Sequence, residues 1–234
     1  MIVCIDPGHG GTDPGAVANG LKEKDLTLDI SLKLNEPLKK YGIQAILTRT
    51  DDRDVTLTQR ANIANTANAD FFISIHINSG GGTGFESFRH PNASDKTSSI
   101  QTIIHREVAN FFKGKGFIDR GIKTANYAVL RETKMAAILV ENLFIDSVKD
   151  ANFLREENNR QAIAQSICNG IVQALGLKKK TENNLLDTVI DAFVKAGIIT
   201  SPEYWKQNAV EGKQCDGGYV AVLLQRIYEK YMKA

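Results

Sequence analysis

Through residue 175, short apolar runs alternate with longer amphipathic stretches, the pattern of strands and helices that share one sheet. Ile2-Val3-Cys4-Ile5 reads as a first buried strand, and it runs straight into Asp6-Pro7-Gly8-His9-Gly10-Gly11, a glycine-rich turn that carries a histidine. The arrangement recurs where Phe71-Phe72-Ile73-Ser74-Ile75 meets His76 and where Ala136-Ala137-Ile138-Leu139-Val140 meets Glu141. An ionisable side chain at the end of a buried strand faces the crevice beyond the sheet's carboxyl edge, where open α/β folds bind ligands.

The connecting stretches supply the helices. Leu26 to Leu34 alternates like a strand, yet Leu26, Ile30, Leu34 and Leu38 also form a helical stripe. Helix is expected, because Gln44-Ala45-Ile46-Leu47-Thr48 reads as the next strand and parallel neighbours need a crossover. Pro37 argues against a long uninterrupted helix there. Thr56-Leu57-Thr58-Gln59 is a capping box opening a helix to about Asn68. Ile100, Ile103, Ile104, Val108, Phe111 and Phe112 share one face of a helix ended by Gly114. Tyr127-Ala128-Val129-Leu130 predicts a further strand, and one long helix is expected from about Asp150 to Gly176.

Three segments follow: an α/β domain over 1–177, a polar linker over 178–184, and a small all-α module over 185–234. The module contains an apolar helix from Leu185 to Val194, a short helix capped by Ser201-Pro202-Glu203, and a third from Val220 to Tyr231. Some 50 residues are marginal for an independent core, so docking or self-association into a homo-oligomer is expected of it.

Composition narrows the function. Hydrophobic residues at 42% and charged residues at 24% suit a soluble globular chain that can fill a core. A net charge of +2, without basic runs interleaved with aromatics, gives no reason to expect nucleic acid. No apolar stretch approaches the roughly 20 residues of a membrane span, so no membrane insertion is expected. Cys4, Cys168 and Cys215 form no CxxC pair, which argues against a disulfide framework or a zinc knuckle. The chain enters a strand directly after Met1, without the marks of a classical signal peptide.

Two histidines and one carboxylate, with a fourth position open to water, are a standard set in zinc hydrolases. His9 and His76 supply the nitrogens; Glu23, at the expected start of the first helix, stands out as the carboxylate, with Asp6, Asp13 and Asp25 as rivals. Glu141 suits a base outside the ligand set, taking the water's proton and passing it to the leaving amine. Other readings are blander. The glycine turn could cradle phosphate, but no Gly-Lys-Ser/Thr follows. Cys4 inside an apolar strand is an inert thiol rather than a nucleophile. His90 and His105 read as surface or structural residues, and Asp6 as an acceptor that could orient a ligand histidine. Tyr204-Trp205 could stack on glycan, but a small helical core is the preferred reading.

Val3-Cys4-Ile5-Asp6-Pro7-Gly8-His9-Gly10-Gly11, Glu23-Lys24-Asp25, Thr48-Arg49, Arg60-Ala61-Asn62, Ser74-Ile75-His76-Ile77-Asn78 and Leu139-Val140-Glu141 together resemble the successive motifs of zinc-dependent N-acetylmuramoyl-L-alanine amidases, the amidase-3 family. The likeness runs in order to about residue 175. It implies a twisted, mostly parallel sheet flanked by helices, a Zn2+ cofactor held by His9, Glu23 and His76, and Glu141 as catalytic base. The implied substrate is bacterial peptidoglycan, cut at the amide between N-acetylmuramic acid and L-alanine of the stem peptide. Met135-Ala136 departs from a common Pro-Ala pair and Asn142-Leu143 from Gly-Phe, which bears on loop shape beside Glu141. The glycine-rich segment 79–84 is expected to be a flexible rim of the site. The expected setting is of the phage endolysin type: synthesis in the host cytoplasm and action on the wall after release. A host autolysin or sporulation amidase, and a non-catalytic wall-binding protein with this fold, are the alternatives.

Overall fold

The computed structural model describes residues 1–177, 183–209 and 212–233, which fall into two compact units divided between Lys179 and Lys180. The first unit begins with β1 (Ile2–Pro7), the short pair β2 (Val17–Ala18) and β3 (Leu21–Lys22), α1 (Glu23–Lys39), β4 (Gln44–Leu47) and α2 (Leu57–Thr66). It continues with β5 (Phe71–Asn78), β6 (Phe85–Arg89), α3 (Asp95–Gly114), β7 (Asp119–Thr124), α4 (Ala128–Arg131), β8 (Ala136–Phe144), α5 (Val148–Arg155) and α6 (Glu157–Ala174). Six strands form one sheet in the order β4-β1-β5-β8-β6-β7, parallel at every pairing except β6 with β8. This is the expected α/β class with a mostly parallel sheet.

Strand alternation divides the core. Val3, Ile5, Phe71, Ile73, Ile75, Ile138 and Val140 pack in one cluster with Leu26, Ile30, Leu34 and Leu38 of α1, Ile104 and Val108 of α3, and Ile163 and Ile167 of α6. Cys4, Phe72, Ala137 and Leu139 point the other way, onto Ala64 of α2 and Val129 and Leu130 of α4. That second cover is thin, because α4 is a single turn. At the carboxyl edge it leaves His76 and Glu141 facing a cavity, while Asp6 and Ser74 on the same face stay buried.

Several expectations are corrected. Tyr127 to Leu130 is no strand: the Tyr127 carbonyl accepts from Leu130 and Arg131 amides, closing a helical turn. Helix α1 runs through Pro37, which falls in its last turn. The long helix from Asp150 is two helices, broken at Glu156, whose ψ is 123°. Helix α3 starts earlier than expected, capped by Ser94 on the Thr97 amide, and includes Gly114. The capping box at Thr56 is present with both of its bonds. Strands β6 and β7 had no sequence expectation.

The second unit holds α7 (Asn183–Lys195), α8 (Pro202–Asn208) and α9 (Gly217–Tyr231) around Ile190, Ile199 and Trp205. Tyr204 stacks on Tyr219 at 4.0 Å, so the Tyr204-Trp205 pair is core here. Of the linker expected over 178–184, residues 178–182 lie outside the described residues, and Asn183 already begins α7. Among the described residues no helix is long and apolar enough to cross a membrane.

Candidate metal centre

Strand β1 delivers the first histidine through a turn that departs sharply from extended geometry. His9 has φ of +60°, a left-handed conformation that costs a non-glycine residue about 1 kcal/mol or more. Two buried arginines hold the turn. Arg60, from α2, donates to the carbonyls of Pro7 at 2.5 Å and His9 at 2.7 Å, and forms an ion pair with Asp6 at 2.8 Å. Arg49, fully buried after β4, donates to the carbonyls of Gly8 at 2.9 Å and Lys24 at 2.8 Å. Arg49 therefore ties the histidine turn to the first turn of α1, where Glu23 stands. Thr27 of α1 adds a second donor to the Gly8 carbonyl at 2.7 Å.

Glu23 opens α1 as expected and is buried. Its Oε1 accepts from His76 Nδ1 and from the Ile77 amide, each at 3.0 Å; its Oε2 accepts from the Ala16 amide at 3.0 Å and lies 3.2 Å from His9 Nε2. The other ring nitrogen of His9, Nδ1, lies 2.8 Å from Asp13 Oδ2. His9, Glu23 and His76 each offer a ligand atom within 4.8 Å of the others, the one such group among the described residues. Glycines permit this convergence: a Cβ at Gly8 would fall 2.4 Å from His76 Cε1, and one at Gly15 would fall 2.7 Å from Glu23 Oε2.

His76 lies within β5 and Glu141 within β8, since both strands run on past these residues; neither marks a strand end as the sequence suggested. They stand directly opposite each other in the parallel register, so both side chains share the open face. Glu141 Oε2 is buried without a hydrogen-bond partner. A cavity of about 520 Å³ contains His9, Glu23, His76 and Glu141, with Asn78, Tyr127 and Val129 among its walls.

Charge follows from these contacts. Burial would raise the Glu23 carboxyl, but the His76 and His9 contacts hold it well below the usual carboxylate range. Burial likewise opposes protonation of His9, yet Glu23 and Asp13 raise it to about 9; His76 is also raised, by Glu23 and Glu141 against burial. Glu141 is pushed up to about 7, first by burial and then by the charges of Glu23 and Glu86, with His76 opposing. Two carboxylates in one cavity are thus driven apart, one held ionised and the other pushed toward its protonated form.

Other candidates take different places. Asp6 touches no histidine; besides Arg60 it accepts from Thr48 Oγ1 at 2.6 Å and Ser74 Oγ at 2.7 Å, so its expected orienting role is replaced by a structural one. Asp13, weighed as a rival ligand, is the residue that orients His9. Cys4 is buried, and its thiol is raised to about 12 by burial and then by Asp6. His105 is buried between Ser87 and Asp119, and His90 contacts Asn126. In segment 79–84, expected as a rim of the site, the Gly80 and Gly81 amides donate to Asp146 and the Gly84 amide to Asp150. Arg49 and Arg60 had no assigned role in the sequence; for Arg60 the available signal was its place in α2 beside the small residues Ala61 and Ala64.

Residues 3–173 match the family model described as N-acetylmuramoyl-L-alanine amidase. The chain is 51% identical over 197 residues to the sporulation-specific N-acetylmuramoyl-L-alanine amidase of Bacillus subtilis, covering 83% of this chain and 76% of that protein. It is 43% identical over 184 residues to an endolysin of Bacillus phage SPP1, covering 77% and 68%. Among solved structures, an N-acetylmuramoyl-L-alanine amidase from Clostridium difficile 630 superposes with a TM-score of 0.71 at 35% identity, covering 75% of this chain and 96% of that one.

Proposed function

The chain belongs to the amidase-3 family of N-acetylmuramoyl-L-alanine amidases, and from that premise we propose that His9, Glu23 and His76 hold a zinc ion while Glu141 acts as the base of peptidoglycan hydrolysis. The convergence of three ligand atoms beside one unpartnered carboxylate oxygen carries this reading. The residues fit such an ion. Two imidazoles and a carboxylate are the donors zinc prefers, and Asp13 behind His9 fixes which ring nitrogen faces the centre. When bound, zinc supplies Lewis acidity to the substrate carbonyl and to water.

The remaining work falls to the protein. Glu141, across the register from His76, takes a proton from the attacking water at Oε2 and hands it to the alanine nitrogen as the amide C–N bond breaks. The reaction leaves a lactyl carboxylate on the sugar and a free amino terminus on the peptide. The test is mass spectrometry of digested cell walls with metal analysis of the protein: new N-terminal L-alanine, lost on chelation and restored by zinc. Release of peptide unaffected by chelation would sink the zinc assignment.

For the setting we propose an endolysin, made in the host cytoplasm and acting on the wall after release, as the name of the phage relative suggests. A sporulation amidase is the second reading, favoured by the 51% identity to the Bacillus subtilis protein. The three-helix unit is proposed to target the wall or to self-associate. Truncation after Lys179 should then spare hydrolysis of soluble muramyl peptides and weaken binding to whole walls.

A further inference from the structure

The polar row containing His76 and Glu141 continues across the sheet toward β7. Strand β6 pairs with β8 so that Glu86 stands directly opposite Glu141, on the same face. Glu86 is buried and fully engaged. Asn78, a wall of the cavity, donates to its Oε1 at 2.8 Å; Arg120 Nε and Lys123 Nζ both donate to its Oε2, at 2.6 and 2.5 Å. Two cations therefore share one carboxylate oxygen, which leaves a net positive charge beside a cavity otherwise rich in carboxylates.

Both cations remain reachable, with side chains 34% and 37% exposed. Their charged ends also lie near aromatic rings. The Arg120 guanidinium lies 4.8 Å over the Phe144 ring, and Lys123 Nζ is 5.8 Å from the Phe88 ring, which packs against Tyr127 on the cavity wall. Among the described residues, Arg120 donates to protein through Nε alone. Its two terminal nitrogens are left with the geometry that grips a carboxylate.

We propose that Arg120 and Lys123, braced by Glu86, form a subsite for a carboxylate of the stem peptide, on the leaving-group side of the scissile amide. The assignment rests on the amidase reading above. Strand spacing places β7 about 10 Å from β8. In an extended peptide the second residue past the cut lies about 7 Å along the chain, and in peptidoglycan that residue carries an α-carboxyl that is either free or amidated. Side chains of arginine and lysine length bridge the difference.

The experiment compares kcat/KM of the full-length zinc-loaded protein on two synthetic N-acetylmuramoyl dipeptides, L-alanine followed by glutamate with a free α-carboxylate or by its α-amide. The unmodified protein should prefer the free acid by about tenfold or more. R120Q or K123Q should each bring that ratio down several-fold, mainly through KM for the acid. Because removing both cations would strand the buried Glu86, the combined change is made as E86Q/R120Q/K123Q, and the ratio should fall to near one. A ratio near one in the unmodified protein, or one that the variants leave in place, overturns the subsite. No turnover of either dipeptide together with no release of L-alanine termini from walls overturns the amidase reading instead.

Discussion

Replacing Arg60 with methionine tests whether the histidine turn is held by the buried guanidinium. The substitution keeps much of the side-chain volume but removes donors to the carbonyls of Val55, Pro7 and His9, and strands Asp6, which is 1% exposed. Breaking a buried ion pair by deleting one partner costs about 3–5 kcal/mol. Asp6 keeps its bonds from Thr48 and Ser74, so the lower end is expected, about 3 kcal/mol. A domain stable by about 5–15 kcal/mol survives this loss at room temperature. Adding Asp6→Asn removes the stranded charge and should recover about 1 kcal/mol or more. Zinc affinity should also fall, by about tenfold to a hundredfold, because the positive φ of His9 loses the donor on its carbonyl. Unfolding is best followed in urea by far-UV circular dichroism, since Trp205, the single tryptophan, reports on the second unit. Affinity follows from competition with a chelator. A loss below about 1 kcal/mol with zinc affinity within about twofold would refute the reasoning.

Three further outcomes are expected. Glu141→Gln should keep stoichiometric zinc but lose about a thousandfold or more in turnover, and full activity would remove Glu141 as the base. Gly15→Ala places a Cβ 2.7 Å from both Glu23 Oε2 and His9 Cδ2 at a φ of +64°, so it should weaken zinc binding about tenfold or more; an unchanged affinity would mean that the ligands do not need this close approach. In the metal-free protein His9 holds its proton to about pH 9, since Glu23 and Asp13 outweigh burial, and zinc must displace it. Apparent affinity should rise with pH up to about 9, with proton release seen by calorimetry in buffers of different ionisation heat. By the same linkage, the His9 pairing stabilises the metal-free fold fully below about pH 6.5 and that contribution is lost as pH rises through about 9. An affinity flat between about pH 6 and 8 would contradict the His9 assignment.

Much of the first unit was legible because its inner strands are short apolar runs and its helices carry clear stripes or caps. Strands β6 and β7 were not, for a physical reason: Phe85-Glu86-Ser87-Phe88-Arg89 mixes a buried carboxylate with aromatics, and Asp119 to Thr124 is a largely polar edge. Tyr127 to Leu130 shows the known ambiguity of a four-residue apolar run, which local sequence does not divide between strand and helix. Of the site, His9, Glu23, His76 and Glu141 could be named from their positions after apolar runs and at a helix start. Their supports could not. Asp6 and Arg60 meet across 54 residues, and Glu86 meets Lys123 across 37, so both partnerships exist only once the sheet is assembled.

The same alternation that builds the sheet also separates stability from chemistry. Along β5, Phe71, Ile73, Ile75 and Ile77 keep one face apolar to the end of the strand, whereas the other face changes from Phe72 to Ser74 to His76. In β1 that other face passes from Cys4 to Asp6, and in β8 from Leu139 to Glu141. The change comes where α2 meets the sheet through Arg60 on Asp6 instead of an apolar layer, and beyond it His76 and Glu141 face the cavity. It also leaves the carbonyls of Pro7, Gly8 and His9 turned inward with no strand to receive them, and an unpaired buried carbonyl is costly. Arginine answers that geometry because one rigid guanidinium can donate to several carbonyls at once, as Arg60 and Arg49 do here. A lysine at either position would offer charge without the fork, and the turn that aims His9 would lose its frame.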